Sequence, residues 1–213
     1  MGLITLCHGS PNPTLTPTFG KGEDRHDYGK GLYLTGDIEL AREWAVCNNT
    51  DGYLYQIELD TSDLKVLDFD KHDPKSWIAE LMSHRDADSS IRHRRFAPAF
   101  IEKYRIDVSG YDIIKGWRAD ASYFLIAKRF VRDELDASLL QEALMLGDLG
   151  IQYCVKSRRA FQSLCHEYRP IEEVDRGIYL ARYNARDSAA RRRLYELMES
   201  DRNTLKDTFS NYI

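Results

Sequence analysis

Tyr28-Gly29-Lys30-Gly31-Leu32-Tyr33-Leu34-Thr35, with the amphipathic stretch behind it that carries Ala41 and Trp44, combines residue types suited to gripping a flat ring. Glycines let backbone approach a ligand closely, and the aromatic residues that follow offer planar faces. The combination suits a planar heteroaromatic group better than a phosphate. Upstream, Leu6-Cys7-His8-Gly9-Ser10 reads as a short apolar strand ending in a His-Gly pair, which can set an imidazole beside a bare backbone amide.

These residues need elements to hold them. Residues 3–8 read as a strand, and Pro11, Pro13 and Pro17 then impose an extended, irregular loop. Residues 31–35 form a second strand. Asp37 is placed to cap a helix with Leu40, Ala41, Trp44 and Ala45 on one face, packed toward the glycine strand. Gly52 to Asp60 alternates apolar and polar residues as a half-buried strand does, and Leu64 to Phe69 repeats the signal. Asp73-Pro74 starts a helix bearing Trp77, Ile78 and Leu81. Further signals are a strand at Tyr111 to Ile114 ending by Gly116, helices over 121–131 and 136–146, a strand at Ile151 to Val155, and a short helix capped by Ser157.

Short strands in mixed order with helices between them predict an α+β fold. No G-x-G-x-x-G follows a strand, which speaks against a Rossmann domain. Beyond Pro170 the composition turns to arginine, glutamate and serine, with Leu194, Leu197 and Met198 at helical spacing. Two units are therefore expected: a domain over residues 1–170 and a helical C-terminal extension over 171–213. The apolar stripe of the extension closes the chain's own core in one reading and receives an inhibitor or partner in the other, and self-packing is the commoner use of such a stripe.

The strand ending in His8-Gly9, the Gly29-Lys30-Gly31-x-Tyr33 strand and the helix with a further aromatic, in that order, resemble the nicotinamide-clamping half of NAD-dependent ADP-ribosyltransferases of the diphtheria-toxin and poly(ADP-ribose) polymerase type. The likeness extends over about residues 3–165 to a bacterial, toxin-associated branch of that superfamily long labelled as of unknown function. It rests there on His8-Gly9-Ser10, the Gly-Lys-Gly-x-Tyr-x-Thr strand, the Trp77 helix, Tyr111-Asp112-Ile113, Ala119-Asp120 and Gln152-Tyr153-Cys154.

The resemblance implies a split sheet of short strands with an NAD cleft between two small sheets. It implies that Tyr33 stacks on nicotinamide, that Gly9 offers backbone groups to the carboxamide, that His8 bonds a ribose hydroxyl, and that Trp44 closes the sandwich. Ser10 and Gly31 fall in the same NAD-binding set. The family's late-strand glutamate corresponds to Gln152, which can hydrogen-bond a hydroxyl but takes no proton. A single ADP-ribose transfer from NAD to a protein or nucleic-acid acceptor is therefore expected rather than a polymer. Ala41 stands where the polymerases often carry a carboxamide-binding serine. Asp120 is the candidate base, and equally a candidate helix cap for residues 121–131.

Composition narrows the alternatives. No run approaches the roughly 18 apolar residues that cross a bilayer, and the amino terminus lacks a signal-peptide pattern, so a cytoplasmic protein is expected. A net charge of −4 speaks against a non-specific grip on duplex nucleic acid. It leaves room for local basic surfaces at Arg92, Arg94 and Arg95 or at Arg191, Arg192 and Arg193, which also read as ordinary solvated faces. Cys7, Cys47, Cys154 and Cys165 lack paired metal spacing, so no metal is implied, and the first three read as small buried hydrophobes. By the resemblance the protein acts as a toxin or defence effector restrained by an antitoxin-like partner. NAD hydrolysis without an acceptor, or an NAD-binding or ADP-ribose-binding module that has lost turnover, is the competing expectation.

Overall fold

The computed structural model describes residues 2–85, 91–119, 121–146, 150–164, 168–200 and 206–213. Its elements run β1 (Leu3–Ser10), β2 (Leu32–Thr35), α1 (Ile38–Ala45), β3 (Gly52–Asp60), β4 (Val66–Asp68), α2 (Pro74–His84) and α3 (Ile91–Tyr104), then β5 (Ile113–Trp117), α4 (Ala121–Val131), α5 (Leu140–Met145), β6 (Ile151–Val155), α6 (Arg158–Gln162), β7 (Pro170–Val174) and α7 (Arg176–Ser200). The mixed α+β class expected from the sequence is what these elements form. Local chemistry sets several boundaries. The Asp37 carboxylate caps α1 by accepting from the amides of Glu39 and Leu40, and Asp73 with Pro74 opens α2. Ser157 caps α6 through the amide of Ala160.

All seven strands belong to one sheet in the order β4-β5-β6-β2-β1-β3-β7, parallel only between β4 and β5. The two small sheets expected are thus one sheet, but its middle join is narrow. β1 and β2 meet at the pair Cys7 and Thr35, whereas β1 pairs with β3 along its whole length from Leu3 to Ser10. Past that pair a side chain makes the link: the His8 Nδ1–H donates to the Tyr33 carbonyl at 2.8 Å, engaging an acceptor that a continuous ladder would have used.

Strand alternation divides the core. Leu6, Leu32, Leu34, Tyr55, Ile57 and Val155 form one buried cluster, while their neighbours in sequence, Cys7 and Cys154 among them, belong to clusters on the other side. On that second side, Trp77, Phe69, Phe100, Phe130 and Phe209 pack under the helices of the β4-β5-β6 half, and Ala41, Ala45, Val46 and Leu54 pack under α1.

Several expectations need revision. The signal from Leu64 to Phe69 shortens to the three residues of β4, followed by a 3-10 turn over Phe69–Lys71. Residues 136–146 form a 3-10 turn over Ala137–Leu139 and then α5. The extension expected to be helical from residue 171 begins as β7, an edge strand paired antiparallel with β3, because Pro170 cannot enter a helix interior and β3 offers a free ladder edge. The helix proper, α7, then buries Ala190 and Leu194, with Leu197 and Met198 packed against the core, so the stripe closes the chain's own interior. Phe209 beyond it is fully buried between Phe100 and Phe130.

Candidate functional site

Gly9 shows why the narrow join has its shape. A Cβ there would overlap the carbonyl oxygen of Ala41 and stand 2.5 Å from the amide of Ala45, so only glycine lets α1 lie directly on β1. Gly31 is similar, since a Cβ would overlap Cys154 Sγ and come 2.7 Å from the carbonyl of Val155 on β6. The close approach that these two glycines permit is therefore to the protein's own elements. Ala41, fully buried by the same contact, fills a packing position rather than the cleft wall.

A cleft of about 380 Å³ opens at the join. It is lined by His8 and Gly9 from β1, Gly31 to Tyr33 at the start of β2, Trp44 and Cys47 from α1 and its end, and Gln152 from β6. His26 and Asp27 from the loop before β2, Arg85 after α2, and Arg118 and Ala119 after β5 complete it. The structure thus brings His8, Gly9, Gly31, Tyr33, Trp44 and Gln152 together. Ser10 does not reach the cleft: it is buried, and its hydroxyl accepts from the amide of Asn12 at 3.1 Å. Asp120 and Cys165 lie outside the described residues, as do the side chains of Arg92 and Arg94. Cys47 corrects its expected burial. It is exposed at the end of α1, while Cys7 and Cys154 are buried.

Each aromatic residue has a second task. The Tyr33 hydroxyl donates to the carbonyl of Gly29 at 2.6 Å and accepts from the amide of Tyr28 at 3.0 Å, closing the turn ahead of its own strand. Its ring lies nearly parallel to that of Tyr28, with centroids 6.5 Å apart, and meets the His26 imidazole edge-on at 5.3 Å. The Trp44 ring carries the Arg118 guanidinium at 5.3 Å from its centroid, a cation–π contact at the edge of the same cleft.

The floor is a hydrogen-bonded network with no sequence signature. Asp27, 7% exposed, accepts from Arg85 Nη1 at 2.6 Å, from the amide of Ala119 at 2.8 Å and from Gln152 Nε2 at 2.9 Å. Gln152 Nε2 also donates to the carbonyl of Trp117 at 3.1 Å. The same carbonyl accepts from the Tyr28 hydroxyl at 2.7 Å, and the Trp77 indole N–H donates to that hydroxyl at 3.0 Å. Trp77, expected on the apolar stripe of its helix, therefore also braces the floor.

Burial keeps most of these groups neutral. It pushes His8 below the usual histidine value, partly opposed by the bond to the Tyr33 carbonyl. It raises Tyr28 and Tyr33 well above the ordinary tyrosine range and lifts the Cys154 thiol to about 12. Because a carbonyl can only accept, His8 carries its proton on Nδ1, and Nε2 is left as an acceptor. The lining therefore offers planar faces, the His8 imidazole as an acceptor and paired charges, a set suited to a flat ring joined to a hydroxyl-bearing sugar. Among the described residues no three His, Cys, Asp or Glu side chains gather as metal ligands. None of the described helices is long and apolar enough to cross a membrane.

No curated protein and no solved structure matches the chain. A family model described as "Protein of unknown function (DUF3990)" matches residues 4–166, and the chain belongs to that family.

Proposed function

We propose that this protein is an NAD-dependent mono-ADP-ribosyltransferase that moves ADP-ribose from NAD to a macromolecular acceptor, acting as a toxin or defence effector held in check by a partner protein. The observation that carries the reading is the convergence of His8, Tyr33, Trp44 and Gln152, from four separate elements, on one cleft at the join between β1 and β2.

The lining fits NAD by its chemistry. Cleavage of the nicotinamide–ribose bond passes through an electron-poor, oxocarbenium-like sugar, so the leaving ring must be held rigidly and the ribose oriented. Tyr33, backed by Tyr28, supplies a fixed ring at the cleft wall. His8 Nε2 accepts from a ribose hydroxyl without a change of protonation, because burial holds the imidazole neutral. A second hollow of about 630 Å³, lined by Arg25, His84 and Phe124, shares His26 and Arg85 with the cleft. Its cations suit the pyrophosphate of a dinucleotide whose nicotinamide end lies in the cleft.

Incubation with NAD labelled in its adenylate half and a cell extract tests the reading. Nicotinamide release together with label on a macromolecule is expected, and protease or nuclease treatment of the product then identifies the acceptor class. Release without label would assign NAD hydrolysis. Neither release nor label would overturn the enzyme assignment, and calorimetry with NAD and ADP-ribose would then test for a binding module.

A further inference from the structure

Gln152 has one amide nitrogen with two hydrogens, and the structure gives both to acceptors: Asp27 Oδ2 at 2.9 Å and the Trp117 carbonyl at 3.1 Å. Reversing the amide would set its oxygen against a carboxylate and a carbonyl, two acceptor-to-acceptor contacts, so the network fixes the orientation without reference to any ligand. The one group that Gln152 can offer elsewhere is Oε1. Asp27 is itself held by Arg85 and the Ala119 amide, and the Trp117 carbonyl by the Tyr28 hydroxyl, which the Trp77 indole braces. Three segments distant in sequence from Gln152, around Asp27–Tyr28, Trp77–Arg85 and Trp117–Ala119, are thus tied together around one side-chain amide.

We infer that Asp27 is a positioning residue: it locks the Gln152 amide so that only its carbonyl oxygen faces the ligand, and the Asp27–Gln152 pair presents a fixed, uncharged hydrogen-bond acceptor in the cleft. That the group it meets is a ribose hydroxyl of NAD rests on the function proposed above. The pair keeps its negative charge on Asp27, balanced by Arg85, and gives the ligand an acceptor that does not titrate.

The arrangement has a signature in the unliganded protein. The other glutamines of the chain, Gln56, Gln141 and Gln162, are exposed, whereas Gln152 is 3% exposed. In protein carrying ¹⁵N-labelled glutamine side chains, one NH₂ pair should exchange with solvent at least about 100-fold more slowly than the other three and vanish in Gln152→Glu. Four amide pairs exchanging alike would overturn the inference, whether or not the protein turns over NAD.

The second measurement is a charge swap read by steady-state nicotinamide release. Gln152→Glu places two carboxyl groups within hydrogen-bond distance, and kcat is expected to fall about 100-fold while KM moves little. Adding Asp27→Asn removes the carboxylate–carboxylate contact, while the Trp117 carbonyl still faces an oxygen of residue 152, and should recover part of that loss, about three- to tenfold. Asp27→Asn alone should lower kcat and restore fast exchange to the Gln152 amide. Strictly additive effects of the two substitutions would overturn the positioning role. A wild-type protein with a protected Gln152 amide but no action on NAD would overturn the proposed function and leave the locked amide standing.

Discussion

Between α4 and α7 runs a groove of about 880 Å³, more than twice the volume of the cleft at the β1–β2 join. Its ion pairs lie along short stretches of chain, and its longer link, from Arg129 to the Tyr195 hydroxyl 66 positions away, is solvent-exposed rather than buried. Arg129 pairs with Glu134 and also donates to the Tyr195 hydroxyl, and Arg191 pairs with Asp187 one turn away at 2.7 Å. Partly exposed pairs of this kind contribute at most about 1 kcal/mol each and need no ligand to explain them. In the cleft, Asp27 and Arg85 are 58 residues apart and Asp27 and Gln152 are 125 apart, and each such contact orders distant segments around a concave surface. Volume is therefore a poorer guide to chemistry than the sequence distance over which polar groups have been gathered and buried.

The contrast is broken most severely from the groove side, because the chain that walls it also fills the core. Phe209→Ala should cost about 3–5 kcal/mol of stability by emptying the space between Phe100 and Phe130, and Leu194→Ala about 2–5 kcal/mol. Urea titrations followed by circular dichroism measure both. A loss below about 1 kcal/mol for Phe209 would mean that the C-terminal segment is not seated as described. Nicotinamide release per folded molecule should be unchanged in both variants.

From the cleft side the expected pattern is reversed. Tyr33→Ala should lower nicotinamide release by about 100-fold, the scale on which misplacing a bound substrate acts. Tyr195→Ala in the groove should leave it within about twofold, since surface substitutions away from a site are close to neutral. Tyr33→Phe separates the two tasks of that residue: the ring stays, while the bonds to Gly29 and Tyr28 are lost at about 1 kcal/mol each in stability. Equal effects of Tyr33→Ala and Tyr195→Ala on release would erase the distinction between the two hollows.

What the sequence made legible follows the same line between local and distant. Caps and periodicity place α1, α2, α4, β3 and β6 because Asp37, Asp73-Pro74 and the alternation over Gly52 to Asp60 act within one or two turns of chain. α3 escaped because Pro98 lies inside it and its arginine-rich start reads as a charged surface. β7 escaped because Pro-Ile-Glu-Glu-Val has no apolar alternation and becomes a strand only through the edge of β3. At the site, His8, Tyr33, Trp44 and Gln152 could be named from motif order. Asp27, Arg85 and Arg118 could not, since an ion pair bridging 58 residues, or a guanidinium over a ring 74 positions away, leaves no local trace.

The smallest expected effect is a pH dependence, and its sign follows from where His8 sits. Burial lowers its folded-state pKa below the ordinary 6.5, so as pH falls through 6.5 the unfolded chain takes up a proton that the folded chain refuses. Stability from this residue is complete above pH 6.5 and declines below it, with a slope of at most about 1.4 kcal/mol per pH unit for one proton. The carboxylates that the fold depends on act lower. Burial raises Glu80, but the bonds from His84 and Arg105 outweigh it and hold the group below 4.5; Asp136 is held at about 2 by backbone amides that likewise overcome its burial. Their contributions are present above their unfolded values and fade only as pH falls further, so the contribution of His8 is read between about 6.5 and 4.5 as the difference between the wild type and a His8 variant. Comparing the wild type with His8→Gln by thermal denaturation across that interval should show the flatter curve in the variant. The acid limb of kcat/KM for nicotinamide release should likewise lie below pH 6.5, because the Nε2 acceptor is lost only when the buried imidazole finally takes its second proton. An acid limb at or above 6.5 would mean that His8 is not the group meeting the ligand, and the cleft would lose the residue that distinguishes it from the groove.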